Sequence, residues 1–290
     1  MYAITAITGR VGGALADRLL EQGQPVRAIL RDAAKGAPWA ARGAEVALAD
    51  ADDADALTAA LSGAEGVFLL LPPNFDPAPD FSDVKARIAV FREALLRAKP
   101  GKVVVLSTIG ADAMEPNLLT ALRLLEEALA NVDLPITSLR AAWFMENAQW
   151  DVAAARDKGL IASYLQPLDR KIAMIATDDV GRCAADLLLE DWAGHRIVEL
   201  EAAQRVSPQD IAAALAKAIG HPVSVRAVPK VEWEGIFRAE GMANPQPRMR
   251  MIDGFNEGWI DFTGTQPDHR KGRIGIEEAM EALVSRIMRE

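Results

Sequence analysis

The sequence predicts an α/β fold: a doubly wound parallel sheet with a smaller C-terminal α/β region. Three observations predict it. Short β-type apolar runs recur along the chain, with stretches of helical period between them. Runs such as Phe68-Leu69-Leu70-Leu71 are apolar on both faces, as strands covered by helices on each side must be. At 290 residues, 50% of them hydrophobic, the chain can bury one large core, or a large core plus a small lobe. Strands and helices alternating in this way form parallel strands joined by helical crossovers.

The elements follow in order. Ile4-Thr5 opens the first strand. Val11, Leu15 and Leu19 then share one face of a helix that ends near Gly23. Residues 25–30 and 46–49 are the second and third strands, and Asp52 or Asp53 can cap a helix through Leu61. Residues 67–71 form the fourth strand, after which Ser82 can cap a longer helix reaching Arg97. Residues 103–106 are the fifth strand. A helix from about 117 to 131 carries Leu118, Leu122, Leu125 and Leu129 along one side and leads to the sixth strand at 136–139. After about residue 150 the texture changes. Residues 171–175 and 196–200 read as strands, and a helix capped by Ser207, with Pro208 in its first turn, runs to Gly220. A last helix lies near 277–288. No repeat or sharp linker appears. The expected organisation is a binding domain over 1–150, with sheet elements returning from about 171–200, and a smaller region over 151–290 that closes over the carboxyl edge of the sheet.

Composition narrows the function classes. A net charge of −9 argues against nucleic acid or an anionic membrane as the main partner. No apolar run approaches the roughly 18–20 residues of a membrane-spanning helix, and structure begins at Tyr2, leaving no room for a cleaved signal peptide. A cytoplasmic protein is expected. The single cysteine, Cys183, excludes an intramolecular disulfide and lies in the apolar stretch 180–189, where a packing role is expected. His195, His221 and His269 fall in unrelated contexts, so no metal site is expected.

In an open α/β sheet, ligands bind beside the first strand-to-helix turn. Here that turn reads Ala6-Ile7-Thr8-Gly9-Arg10-Val11-Gly12-Gly13. Gly9 and Gly12 let backbone approach a pyrophosphate, and the helix start supplies unpaired N–H groups and partial positive charge. The turn is thus a Rossmann-like dinucleotide site, with Thr8, Gly9, Arg10, Val11 and Gly12 as its phosphate contacts; the alternative is a tight turn that binds nothing. Ala6 stands where a first glycine is expected. Alanine tolerates that geometry unless φ is positive, so weakened rather than abolished binding is expected.

The second strand ends at Arg31-Asp32, with Lys35 and Arg10 potentially close. A guanidinium there can grip a 2′-phosphate, which favours NADP(H) over NAD(H), while Asp32 keeps NAD open. Asp50-Ala51 ends the third strand, where Asp50 can accept from an adenine amino group or cap the next helix. Leu71-Pro72 lies along the nicotinamide-side ribose. Ser107 ends the fifth strand, where side chains face the reacting ring; it is expected as a cofactor contact and is a weak catalytic candidate, since strand-end serines often only bond nearby backbone.

These segments resemble the NmrA-like family of atypical short-chain dehydrogenases. The resemblance rests on Thr8-Gly9-Arg10-Val11-Gly12, on Val26-Arg27-Ala28-Ile29-Leu30-Arg31-Asp32, and on Val67-Phe68-Leu69-Leu70-Leu71-Pro72-Pro73. It continues in Leu106-Ser107-Thr108-Ile109-Gly110-Ala111, in Arg140-Ala141-Ala142-Trp143-Phe144-Met145-Glu146-Asn147 and in Asp178-Asp179-Val180-Gly181-Arg182, and covers roughly residues 3–230. It implies a dinucleotide-binding lobe, a smaller C-terminal lobe and a cleft between them. Members include NAD(P)H-dependent quinone, azo-dye and triphenylmethane reductases, and redox sensors or transcriptional regulators. Arg31 matches the position that meets the 2′-phosphate in NADP-binding members; Ala6 departs from the family's glycine.

The larger superfamily reduces carbonyls with a tyrosine and a lysine four residues on. Here Tyr2 is followed at that spacing by Ala6, and Tyr164 by Leu168, so the dyad is missing. The helix that usually carries it has only Arg123 as a base, a poor proton donor at neutral pH. Glu146 and Asn147, past the sixth strand, are the remaining weak candidates: a proton relay, and a group to orient substrate or carboxamide. Two functions compete. One is an NADPH-dependent oxidoreductase acting on quinone-like or dye-like small molecules; the other is an NADP(H)-sensing protein that signals to a regulated protein partner.

Overall fold

The computed structural model describes residues 1–289. Through the first half β1 (Tyr2–Ile4), α1 (Arg10–Glu21), β2 (Val26–Leu30), α2 (Ala37–Ala40), β3 (Glu45–Leu48), α3 (Ala54–Leu61), β4 (Gly66–Leu69), α4 (Ser82–Ala98), β5 (Val103–Thr108), α5 (Thr120–Leu129) and β6 (Ile136–Ala141) alternate. The second half holds β7 (Trp143–Phe144), α6 (Val152–Lys158), β8 (Leu160–Ser163), β9 (Met174–Ile175), α7 (Thr177–Leu189), β10 (His195–Ala202), α8 (Pro208–Ile219), β11 (Ser224–Ala227), α9 (Lys230–Ala239), α10 (Gln246–Glu257), β12 (Asp268–Gly272) and α11 (Ile276–Ile287). No described helix is long and apolar enough to cross a membrane.

Among the described residues eight strands form one sheet in the order β12-β10-β6-β5-β4-β1-β2-β3, with every neighbouring pair parallel. The chain winds from β1 out to β3, then returns to β4 on the other side of β1. The strand order therefore reverses between β1 and β4, and their carboxyl ends flank a crevice. The period-two alternation of β4 divides the core: Phe68 joins Leu15, Leu19 and Val104 on one face, while Val67 and Leu69 join Phe91, Leu95 and Val105 on the other. On the first of these faces α1 and α7 cross closely. A Cβ on Gly181 would lie 2.6 Å from the Ala14 Cβ and 2.7 Å from the Val11 carbonyl oxygen.

Two sequence expectations are corrected. Residues 171–175 do not enter the main sheet; only Met174–Ile175 is a strand, and it pairs with Trp143–Phe144. The sheet is instead extended by β10 and by the charged strand β12. Ser82 does not cap α4. Phe81 precedes the helix at φ 57°, and the Asp80 carboxylate accepts the Ser82 N–H at 3.0 Å. Asp53, by contrast, caps α3, accepting from Ala56 N at 2.9 Å.

The charged strand is held by a register that lines up polar and charged residues across four strands. Ser107 on β5 pairs with Arg140 on β6, Arg140 with Glu199 on β10, and Glu199 with His269 on β12. Glu199 and Glu201 are buried, and the His269 ring bridges them, Nδ1 at 3.1 Å from one and Nε2 at 2.9 Å from the other. Lys271 adds a 2.7 Å bond to Glu201. Burial pushes the Glu199 carboxyl up, and His269 opposes this.

Candidate functional site

At the crevice, Thr5 joins the ends of β1 and β4: its hydroxyl donates to the Phe68 carbonyl at 3.1 Å and accepts the Leu70 N–H at 2.9 Å. The chain then turns, with Ala6 at φ 51°. A positive φ is the condition under which alanine stops matching glycine at this position, and for a residue with a Cβ it costs roughly 1–2 kcal/mol. The Ala6 carbonyl accepts the Gly9 N–H at 2.9 Å, and the Gly13 N–H to the Gly9 carbonyl, at 2.8 Å, is the first helical bond of α1. Gly9 is the N-cap and offers no side-chain cap, so the N–H groups of Arg10, Val11 and Gly12 precede the helical ladder unpaired by it. A Cβ on Gly12 would fall 2.4 Å from the Ala6 carbonyl oxygen. Turn and helix thus touch backbone to backbone at a positive helix end whose first N–H groups the helix itself leaves unpaired. This cradle fits a pyrophosphate.

Arg31 projects from the end of β2 with its side chain 78% exposed and its nearest acid, Asp50, at 3.9 Å. Asp32 Oδ1 accepts the Ala34 N–H at 3.0 Å and caps the short turn Ala33–Lys35. Asp50 bonds the Asp52 N–H at 3.1 Å; it does not cap α3. Arg10 donates from Nη2 to Gln149 Oε1 at 3.0 Å. Lys35 is exposed in the turn that follows β2. Ala51, Leu71 and Pro72 follow at the ends of β3 and β4, Leu71 buried and the other two half-buried.

Ser107 is buried, and its hydroxyl donates to Glu126 of α5 at 2.5 Å. Glu126 in turn holds the Arg140 guanidinium at 2.7 and 3.1 Å, and Asp112 takes its remaining edge at 3.0 Å. Both Glu146 oxygens accept the Thr177 N–H, at 3.0 and 3.1 Å, so this carboxylate caps α7; burial pushes its pKa up. Asn147 differs. It is half-buried, and its side chain makes no hydrogen bond among the described residues. Trp143, edge-on to Phe255 at 5.1 Å, and the exposed Trp150 flank this segment.

A groove of about 970 Å³ starts at Thr8, Gly9 and Arg10 and runs along α1 against α7 and α11. Arg31, Leu71 and Ser107 do not line it. Sequence reasoning missed Thr5, Glu126 and Gln149, whose roles depend on partners 63, 19 and 139 residues away. Only the spacing of Thr5 just past a strand end offered a hint.

Comparison with known proteins gives the family and the shared fold. The NAD(P)H-binding family profile matches residues 7–191. An NAD(P)H azoreductase of Xenophilus azovorans is 29% identical over 262 residues, covering 89% of this chain and 85% of that protein. Quinone oxidoreductase 2 of Escherichia coli K12 is 28% identical over 249 residues, covering 83% and 82%. Among solved structures, an NADPH-dependent quinone oxidoreductase from Escherichia coli complexed with NADPH superposes with a TM-score of 0.78 at 24% identity, covering 99% of this chain and all of that one. A triphenylmethane reductase from Citrobacter does so with 0.80 at 19% identity, covering 98% and 99%. At these identities the structures establish the shared fold. The chain belongs to the NAD(P)H-binding family, in line with its NmrA-like, atypical short-chain dehydrogenase resemblance.

Proposed function

We propose that the protein is a cytoplasmic NADPH-dependent oxidoreductase that reduces quinone-like or dye-like small molecules without a tyrosine–lysine dyad. The dinucleotide lies on Thr8, Gly9, Arg10, Val11 and Gly12, passes Asp50 and Ala51 on its adenosine side, and reaches Leu71 and Pro72 with its nicotinamide half. Residues 1–150 supply most of this surface, and residues 151–290 close over the acceptor side. The observation that carries the cofactor preference is at the end of β2: the Asp32 carboxylate is occupied in a cap while Arg31 stands exposed. A guanidinium without a competing acid at hydrogen-bond range suits a 2′-phosphate. The azoreductase and quinone oxidoreductase names of the relatives support the reaction class.

When bound, NADPH supplies a hydride. The chain's own part is to hold and orient. The α1 N-terminus takes the pyrophosphate, and Asn147 offers a free amide to the acceptor or the carboxamide. Ser107 and Glu146 take no proton-transfer role, because one donates to Glu126 and the other caps α7. Protonation of the reduced acceptor then falls to water, which quinones and dyes allow. Steady-state oxidation of NADPH and of NADH, measured against a panel of quinones and azo dyes, tests this. Turnover with NADPH preferred is the expected result; none with any acceptor sinks the reading. The second reading, a non-catalytic NADP(H) sensor, draws on the same commitment of Ser107 and Glu146. It predicts NADPH binding that changes a protein partnership without hydride transfer.

A further inference from the structure

The loop that leaves β4 carries Phe75, a residue 51% exposed although the chain on each side of it is fastened. On one side Asn74 Nδ2 donates to Asp83 at the start of α4 at 2.6 Å, and the Asn74 Oδ1 accepts the Asp76 N–H at 3.0 Å. On the other side the two Asp76 oxygens accept the N–H groups of Ala243 and Asn244, at 2.8 and 2.7 Å, and Asn244 Nδ2 donates to the Pro77 carbonyl at 3.1 Å. Ala243 and Asn244 lie between α9 and α10. Asp76 therefore ties the loop leaving β4 to the C-terminal half. The loop after β5 is tied likewise, by Leu118 N–H to the Pro247 carbonyl at 2.9 Å and by Arg250 to Glu115 at 3.1 Å.

These bonds fix the backbone that carries the exposed Phe75 on the carboxyl side of β4, the strand beside the phosphate turn of β1. An aromatic side chain has only two torsions, so on an anchored backbone it loses little freedom when a flat apolar molecule stacks on it, and both surfaces leave water. We infer that Phe75 is the stacking surface for a planar aromatic acceptor and that Asp76 is the positioning residue that holds it. This rests on the reductase reading above and adds the residue that selects among its acceptors and the one that positions it. Phe75 touches the acceptor and has no part in dinucleotide binding. Asp76 touches neither, and acts through the backbone of residues 74–77.

The test pairs equilibrium binding with kinetics, using menadione as the planar probe and the variants Phe75→Ala, Phe75→Trp and Asp76→Ala. In Phe75→Ala, the Kd and the KM for menadione should each rise about tenfold, the effect of losing one aromatic contact. Its kcat should stay within about twofold and its NADPH affinity should not change. Phe75→Trp should restore menadione affinity. Asp76→Ala should raise the menadione KM by a smaller factor and speed hydrogen exchange at the Ala243 and Asn244 amides, which then lose their acceptor. Equal menadione affinity in wild type and Phe75→Ala, or no menadione binding by the wild type, overturns the inference. Menadione binding that depends on Phe75 without NADPH oxidation leaves the inference standing and removes the reductase reading. Oxidation that ignores Phe75 does the reverse.

Discussion

The Gly12 Cα hydrogens face the Ala6 carbonyl so closely that a methyl group in their place would sit 2.4 Å from its oxygen. The two residues make one object, a turn pressed onto a helix start, and each carries a prediction. Gly12→Ala forces the turn away from α1 and should lose NADPH binding together with about 2 kcal/mol or more of stability, as overpacked sites do. Ala6→Gly relieves the left-handed conformation of a residue with a Cβ. After allowance for the extra freedom of glycine in the unfolded chain, it should gain roughly 0.5–1 kcal/mol. It should also tighten NADPH. Urea unfolding and fluorescence titration of each variant measure both quantities; an Ala6→Gly protein less stable than its parent contradicts the account.

Arg31 makes no bond shorter than its 3.9 Å approach to Asp50, so its removal should leave the fold intact. Arg31→Ala should weaken NADPH by on the order of 1.5–3 kcal/mol, the range of a charged hydrogen bond, and leave NADH nearly unchanged. Calorimetric titration with both nucleotides separates this from a general loss. Equal weakening of the two means that the guanidinium does not meet the 2′-phosphate.

Asp151 offers a pH test. Its carboxyl makes no hydrogen bond among the described residues, and burial pushes its pKa from 3.8 to about 6. A carboxyl raised in the folded state contributes stability below its ordinary value that is lost as pH rises through about 6. Asp151→Asn should therefore stabilise the protein at pH 7 by on the order of 2 kcal/mol and have little effect near pH 3.5. Unfolding free energies collected from pH 3.5 to 8 give the difference curve, and a flat one rules out the burial account.

Ser107 and Arg140 should separate in a mutant pair. Ser107→Ala removes one hydrogen bond to Glu126 and should cost about 1 kcal/mol while kcat stays within about twofold. Arg140→Ala strands Glu126 beside an emptied ion pair and should cost about 3–5 kcal/mol. A collapse of kcat in Ser107→Ala at full stability would instead return that hydroxyl to the chemistry.

How much of the molecule was legible in the sequence depends on how far away the partners lie. The β1 turn, the Arg31 corner and strands such as β4 announce themselves through local pattern: glycine spacing, a strand-end charge, a run apolar on both faces. The strand Asp268-His269-Arg270-Lys271-Gly272 does not, because its charges look like a solvated tail until Glu199 and Glu201 supply buried acids beside them in register. Residues 171–175 misled for the opposite reason: their apolar pattern fits a sheet strand, but only Met174 and Ile175 form one, paired with Trp143 and Phe144, while Ile172 bridges Val206. At the site, Glu146 read as a possible relay because its acceptor role for Thr177 is fixed 31 residues on. The Asp76 tie to Ala243 and Asn244 spans 167 and 168 residues and left no local trace.

The position of β12 has a bearing on biosynthesis. It is the outermost strand on its side of the sheet and follows the other seven in chain order, so it emerges from the ribosome after them. Until then the edge of β10 carries Glu199 and Glu201 without His269 and Lys271, two acids at an open edge that repels its own kind. Nascent chains whose inner strands have already assembled are thereby discouraged from pairing with one another through β10, and the last basic strand ends that interval by covering it.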